Sequence, residues 1–86
     1  MTPEEAILEL TAARGPEKSI CPTEAARLAG GEERWRSVLG EVRKAAIRLA
    51  LAGRIVITRK GRPVDPQDFK GVYRLRAAGS PGEEQP

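Results

Sequence analysis

The residues of this sequence with the most distinctive chemistry are its arginines and lysines. The 86 residues include 15 Lys or Arg and 12 Asp or Glu, for a net charge of +3. The excess is uneven, because residues 34–76 hold twelve basic and three acidic residues, a net of +9, whereas residues 1–33 have a net charge of −4. This asymmetry indicates a basic face that attracts polyanions.

Many of these cations fall on one side of a predicted long helix that ends at Gly53. At about 100° per residue, the apolar side chains between Trp35 and Leu49 share one stripe, which we expect in the core. The opposite face carries four cations and a glycine, where a backbone can approach closely. Its predicted contacts to a nucleic acid are Arg36, Ser37, Gly40, Arg43, Lys44 and Arg48. The alternative is a solvated helix face, since charged residues also keep helices soluble.

A second basic group, Arg59, Lys60 and Arg62, surrounds Gly61 at a predicted turn between two strands. Side chains at such a turn can contact phosphates, and eleven of the fifteen basic residues are arginines, which bind phosphate in a bidentate manner. The alternative is protection of a sheet edge, because charges and Pro63 also prevent strands from aggregating. Both roles can hold together.

Catalytic and metal-binding residues are scarce. The chain has no histidine and one cysteine, Cys21, which we expect to be a small buried apolar side chain with no base beside it. Asp65 and Asp68 are expected to cap a turn. We therefore predict a protein that is not an enzyme and binds no cofactor or metal.

The elements that must position the basic residues are predicted from caps, breakers and periodicity. Thr2 and Glu5 form a capping-box pattern for a first helix that Gly15-Pro16 ends. A short strand over 18–21 and a two-turn helix over 22–29 follow, and then a Gly30-Gly31 turn leads into the long helix. Two strands, 54–59 and 71–76, then form a hairpin.

This order predicts an α+β winged helix-turn-helix fold with three helices, a short strand and a C-terminal β-hairpin wing. The domain is expected over residues 1–76, followed by a disordered acidic tail over 77–86. Trp35 is expected in the core. The absence of a long apolar run or a signal-peptide pattern predicts a cytoplasmic protein that does not contact a membrane.

The sequence also resembles a bacterial family of small winged-helix domains of unknown function. The resemblance extends over most of residues 7–75 and is carried by these stretches: Ile20–Arg27, Trp35-Arg36, Val42-Arg43, Leu49–Ile55, Lys60–Pro66 and Gly71–Leu75. It implies the winged-helix fold but no activity, because the family has no assigned function.

The predicted function is binding of double-stranded DNA through the third helix and the wing. The alternative is a protein-interaction or dimerisation module, because winged helices also serve as docking domains. Ile47 is expected to be exposed beside the cationic face, which favours this alternative.

Overall fold

The computed structural model describes residues 1–79 and has an α+β architecture with two helices and one antiparallel sheet. This agrees with the α+β class that the sequence predicts. Along the chain the elements are α1 (Pro3–Arg14), β1 (Ser19–Ile20), α2 (Pro22–Leu51), β2 (Ile55–Arg59), β3 (Arg62–Pro63) and β4 (Arg74–Ala77). None of the helices within residues 1–79 is long and apolar enough to cross a membrane.

The first helix, α1, begins and ends as its sequence predicts. The Thr2 hydroxyl accepts a hydrogen bond from Glu5 N at 3.1 Å, and Thr2 N donates to the Glu5 carboxylate at 2.8 Å. These two bonds form the predicted capping box. The helix stops at Gly15, which has a φ of 84° and donates its N–H to Thr11 O at 2.9 Å.

The prediction of three helices is not confirmed, because the second and third predicted helices are parts of α2. The turn expected at Gly30-Gly31 is reduced to a kink at Gly31, whose φ of 79° and ψ of 176° are a conformation almost restricted to glycine. The neighbouring Gly30 is close to the next part of the helix, since a Cβ there would lie 3.2 Å from Val38 Cγ2. The chain therefore bends at one residue while its helical turns continue on both sides.

The sheet has the strand order β1-β4-β2-β3. Leu75 of β4 pairs with Ile20 of β1 on one side and with Ile57 of β2 on the other. Two predictions need correction here. Residues 71–73 lie outside β4, and Arg62-Pro63 forms a short strand directly after the turn, with Arg59 opposite Arg62.

The tight turn explains the extra strand. Both of its central residues have positive φ, 52° at Lys60 and 80° at Gly61. Two residues in this conformation reverse a chain with a twist that matches paired strands, so pairing resumes at once.

The core lies between the two helices and the sheet. Its largest fully buried side chains are Ile7, Thr11, Ile20, Val42, Ile57 and Leu75. Trp35 was expected in the core, but it is only half-buried and packs against the edge of the core. The tail was predicted over 77–86, but Ala77 belongs to β4, so the prediction is wrong at its first residue. Residues 80–86 of the predicted tail lie outside the described residues.

Candidate functional site

The half-buried Arg43 connects α2 to the segment that leads into β4. One of its terminal nitrogens donates to Phe69 O at 2.9 Å. Its guanidinium carbon lies 4.0 Å from the centre of the Phe69 ring and 5.7 Å from that of Tyr73. The two rings meet edge to face, with centroids 5.2 Å apart. Arg43 is thus a positioning residue for residues 69–73, which we call the crossing segment.

A second arginine holds the same crossing segment from the sheet. Arg59 Nε donates to Val72 O at 3.0 Å. A Cβ at Gly71, where φ is 80°, would lie 3.0 Å from the Arg59 guanidinium. The positive φ favours glycine at position 71, and the missing side chain leaves room for the Arg59 guanidinium.

Arg48 also has a partner within the chain. Its Nε donates to the Glu4 carboxylate at 2.9 Å, which joins the second helix to the first turn of α1. This guanidinium holds the pKa of Glu4 below its ordinary value. Three of the nine sequence-predicted contacts, Arg43, Arg48 and Arg59, therefore donate from their guanidinium groups to acceptors that are distant in the sequence.

The other predicted contacts remain at the surface. The Arg36 guanidinium lies 4.7 Å from the Trp35 ring centre, and Arg27 lies 4.8 Å from the same ring. Lys44 forms an exposed ion pair with Glu41 at 3.7 Å. Ser37 donates its hydroxyl to the carbonyl of the preceding turn, at Arg34, over 2.8 Å. Gly40, Lys60 and Arg62 are exposed, and no hydrogen bond or ion pair holds the two cations to another residue of the described chain.

The crossing segment is next to both elements that carry the surface cations. A pocket brings Gly40 and Arg43 of α2 next to Gly71 and Val72. Arg59 also lies close to Gly71, and it directly precedes the turn at Lys60. The crossing segment therefore has contacts both with the helix surface around Gly40 and with the strand residue that leads into the β2–β3 turn.

The pocket itself was not predicted. It has a volume of about 530 Å³ and is lined by the start of α2, by the middle of α2 and by residues 71–74. Val72 at its edge is 84% exposed, although the alternation of residues 71–76 had placed it in a strand. Pattern alone cannot reveal a pocket whose three walls are distant in sequence.

Two residues differ from their expected environment. Ile47 is half-buried and packs against the core, so the prediction that it is exposed was wrong. Cys21 is half-buried and lines the pocket instead of filling the core, and it is the N-cap of α2, with Sγ accepting from Thr23 N at 3.3 Å. Burial raises the pKa of this thiol, but hydrogen bonds from Thr23 and the backbone outweigh that effect, and the pKa is lowered overall. Within residues 1–79, no group of three His, Cys, Asp or Glu side chains is arranged to hold a metal ion.

Glu24 should make the stability of the fold depend on pH. Its carboxylate pairs with Arg14 and accepts from Cys21 N at 2.9 Å, and these contacts lower its pKa below the ordinary value of 4.5. A lowered carboxyl pKa contributes stability above pH 4.5, and this contribution is lost as the pH falls through the pKa of the folded state.

We therefore expect Glu24→Gln to lower the free energy of unfolding at pH 7 by up to about 1 kcal/mol, a modest value because the ion pair is partly exposed. Glutamine can still complete the capping box, so only the charge is tested. Urea denaturation should show little difference from the wild type at pH 3. An equal loss at both pH values would contradict the assignment.

Comparisons with known proteins give a family but no function. No curated protein matches the chain. A family model described as "Protein of unknown function (DUF3253)" matches residues 2–78, which includes both helices and all four strands. The expected membership in a family of unknown function is thereby confirmed: the chain belongs to the DUF3253 family.

Proposed function

We propose that the chain is a winged-helix domain that binds double-stranded DNA. The kink at Gly31 supports this fold, because it divides α2 into two parts that correspond to the second and third helices of such a domain. The strands after Gly53 then form the wing. In proteins of this architecture the third helix enters the major groove and the wing contacts the neighbouring backbone or minor groove.

The observation that carries the proposal is the placement of the surface cations. The helix that carries Arg36 and Lys44 is next to the crossing segment at Gly40, and the turn that carries Lys60 and Arg62 follows Arg59, which donates to Val72 O of the same segment. A polyanion that spans this segment would meet both groups at once. Neutralisation of phosphates by Lys and Arg releases counterions and provides most of the affinity of such an interface.

The predicted residues are not equally suited to contact DNA. Lys60 and Arg62 are suited to phosphate contacts, and Arg36 to a contact at the groove. Gly40 offers a position where a backbone can approach. Arg43, Arg48 and Arg59 are better described as positioning residues, because each already donates to an acceptor of the chain.

The test is a fluorescence titration of random-sequence duplex DNA over a series of salt concentrations. We expect the wild type to bind more weakly as salt rises. In a plot of log affinity against log salt, Lys60→Ala/Arg62→Ala should reduce the slope by about 2 units, because each neutralised phosphate contributes about 0.9. Arg36→Ala/Lys44→Ala should weaken binding and reduce the slope as well.

A charge-matched control is available at the other end of the sheet. Lys18 precedes β1 and Arg54 precedes β2, so both lie near the Ile55–Ala77 end, whereas Lys60 follows the Thr58–Arg74 end. Lys18→Ala/Arg54→Ala removes the same charge and should change the slope little. Equal losses in both double variants would mean that net charge alone causes binding. No binding at low salt, or binding independent of salt, would refute the proposal.

A further inference from the structure

The pocket beside the crossing segment has the composition of a small-molecule site. Its volume of about 530 Å³ lies within the usual range of ligand pockets, about 300–1,000 Å³. Apolar walls come from Pro22, Leu39, Val72 and Tyr73. Gly40 and Gly71 have no side chain, so a flat ring could lie directly against the backbone at these positions.

The charged groups of the lining all have the same sign. Two arginines, Arg43 and Arg74, are among the lining residues, and within the described chain no acidic residue lines the pocket. The Glu24 carboxylate lies outside the lining, where it accepts from Cys21 N and interacts electrostatically with Arg74. Each arginine already donates to the protein: Arg43 to Phe69 O at 2.9 Å, and Arg74 to Ser19 Oγ at 2.6 Å and to Ser19 O at 3.1 Å. A guanidinium has five N–H donors, so both retain donors for a further acceptor. The pocket is thus complementary to an apolar molecule with one negative charge.

We propose that this pocket binds a small aromatic carboxylate, with its ring between Leu39 and Val72 and its carboxylate accepting hydrogen bonds from Arg43 or Arg74. A single carboxylate matches the donors that remain, because both arginines already use some of their N–H groups within the protein. A phosphate has more acceptor oxygens and would need more donors. The mostly apolar walls favour an aromatic ring as the rest of the ligand. This site goes beyond DNA binding and can be tested without DNA.

Cys21 gives a direct readout of occupancy, because it lines the pocket and is the one cysteine of the sequence. The experiment measures the rate at which N-ethylmaleimide, a neutral reagent, modifies the thiol in the presence of 1-naphthoate. The neutral analogue 1-naphthalenemethanol serves as the comparison. We expect naphthoate to slow modification with half-saturation on the order of 1 mM or lower, and the alcohol to need roughly tenfold more.

Two variants locate the effect. Gly40→Met should fill the pocket and abolish protection by naphthoate, while Ala13→Met, on the exposed surface of α1, should leave protection unchanged. Space for the new side chain exists, since a Cβ at Gly40 meets no atom within 4 Å. Arg74→Gln should weaken naphthoate several-fold without changing the alcohol, with Arg54→Gln as its control. This second pair keeps the test decisive if Gly40→Met fails to fold.

Several results would overturn the proposal. Equal protection by naphthoate and the alcohol would mean that the arginines do not bind the carboxylate. Protection that survives Gly40→Met in a folded protein would place the ligand elsewhere. No protection by naphthoate up to about 10 mM, together with protection by a short acidic peptide that carries one leucine, would identify a peptide-docking surface instead.

Discussion

Leu75→Ala is expected to lower the free energy of unfolding by about 3 kcal/mol, which is a large part of the total stability of a typical small domain. Leu75 is fully buried in β4 and pairs with two other buried side chains, Ile20 and Ile57. Removal of a buried leucine side chain loses its transfer free energy and leaves a cavity, at a cost of about 2–5 kcal/mol. Urea denaturation followed by circular dichroism measures the loss.

Val72→Ala is the matched control for this substitution. It also shortens an aliphatic side chain near β4, but Val72 is 84% exposed, so its loss should stay within about 0.5 kcal/mol. Similar values for both variants would mean that β4 does not lie at the centre of the core.

Arg43→Ala should be the most costly substitution of a charged residue, at about 2 kcal/mol. The variant loses a hydrogen bond from a charged donor to Phe69 O, which contributes about 1.5–3 kcal/mol, and the interaction with the Phe69 ring. It should also loosen the crossing segment. We therefore expect faster hydrogen exchange at the amides of residues 69–73, which mass spectrometry can measure.

Neighbouring and conservative substitutions separate positioning from charge. Lys44→Ala removes one positive charge from the adjacent residue and should change stability by no more than about 0.5 kcal/mol. Arg43→Lys keeps the charge but not the planar donor group, so it should restore only part of the stability. If Arg43→Lys were as stable as the wild type, charge and not geometry would hold the crossing segment.

The sequence predicts the elements of this fold well where their signals are local. Thr2 and Glu5 define the start of α1, and the apolar stripe through Val42 and Leu49 identifies the helix face in the core. The sequence predicts a full turn at Gly30-Gly31, whereas only Gly31 leaves the helical conformation. A Gly-Gly pair indicates a break but does not reveal how many residues it includes. A lysine with positive φ, as at position 60, is equally hard to predict from residue type.

The candidate site was harder to predict, because its contacts join distant parts of the chain. Periodicity placed Arg43 on a polar face of the helix, but its acceptor lies 26 residues away on the crossing segment. The same holds for Arg48, which reaches Glu4 across 44 residues. Sequence spacing identifies which cations share a helix face, and tertiary structure decides which of them already have an acceptor.

The position of β4 has a consequence for the synthesis of the protein. This strand separates β1 from β2 in the sheet, yet it is the last of the described elements along the chain. A nascent chain on the ribosome can form its helices and the β2–β3 turn early, but β1 has no strand to pair with until Arg74–Ala77 has emerged. The apolar side chains around Ile20 and Ile57 therefore stay exposed until that point, so a chain that still lacks β4 is the form most in need of protection by chaperones.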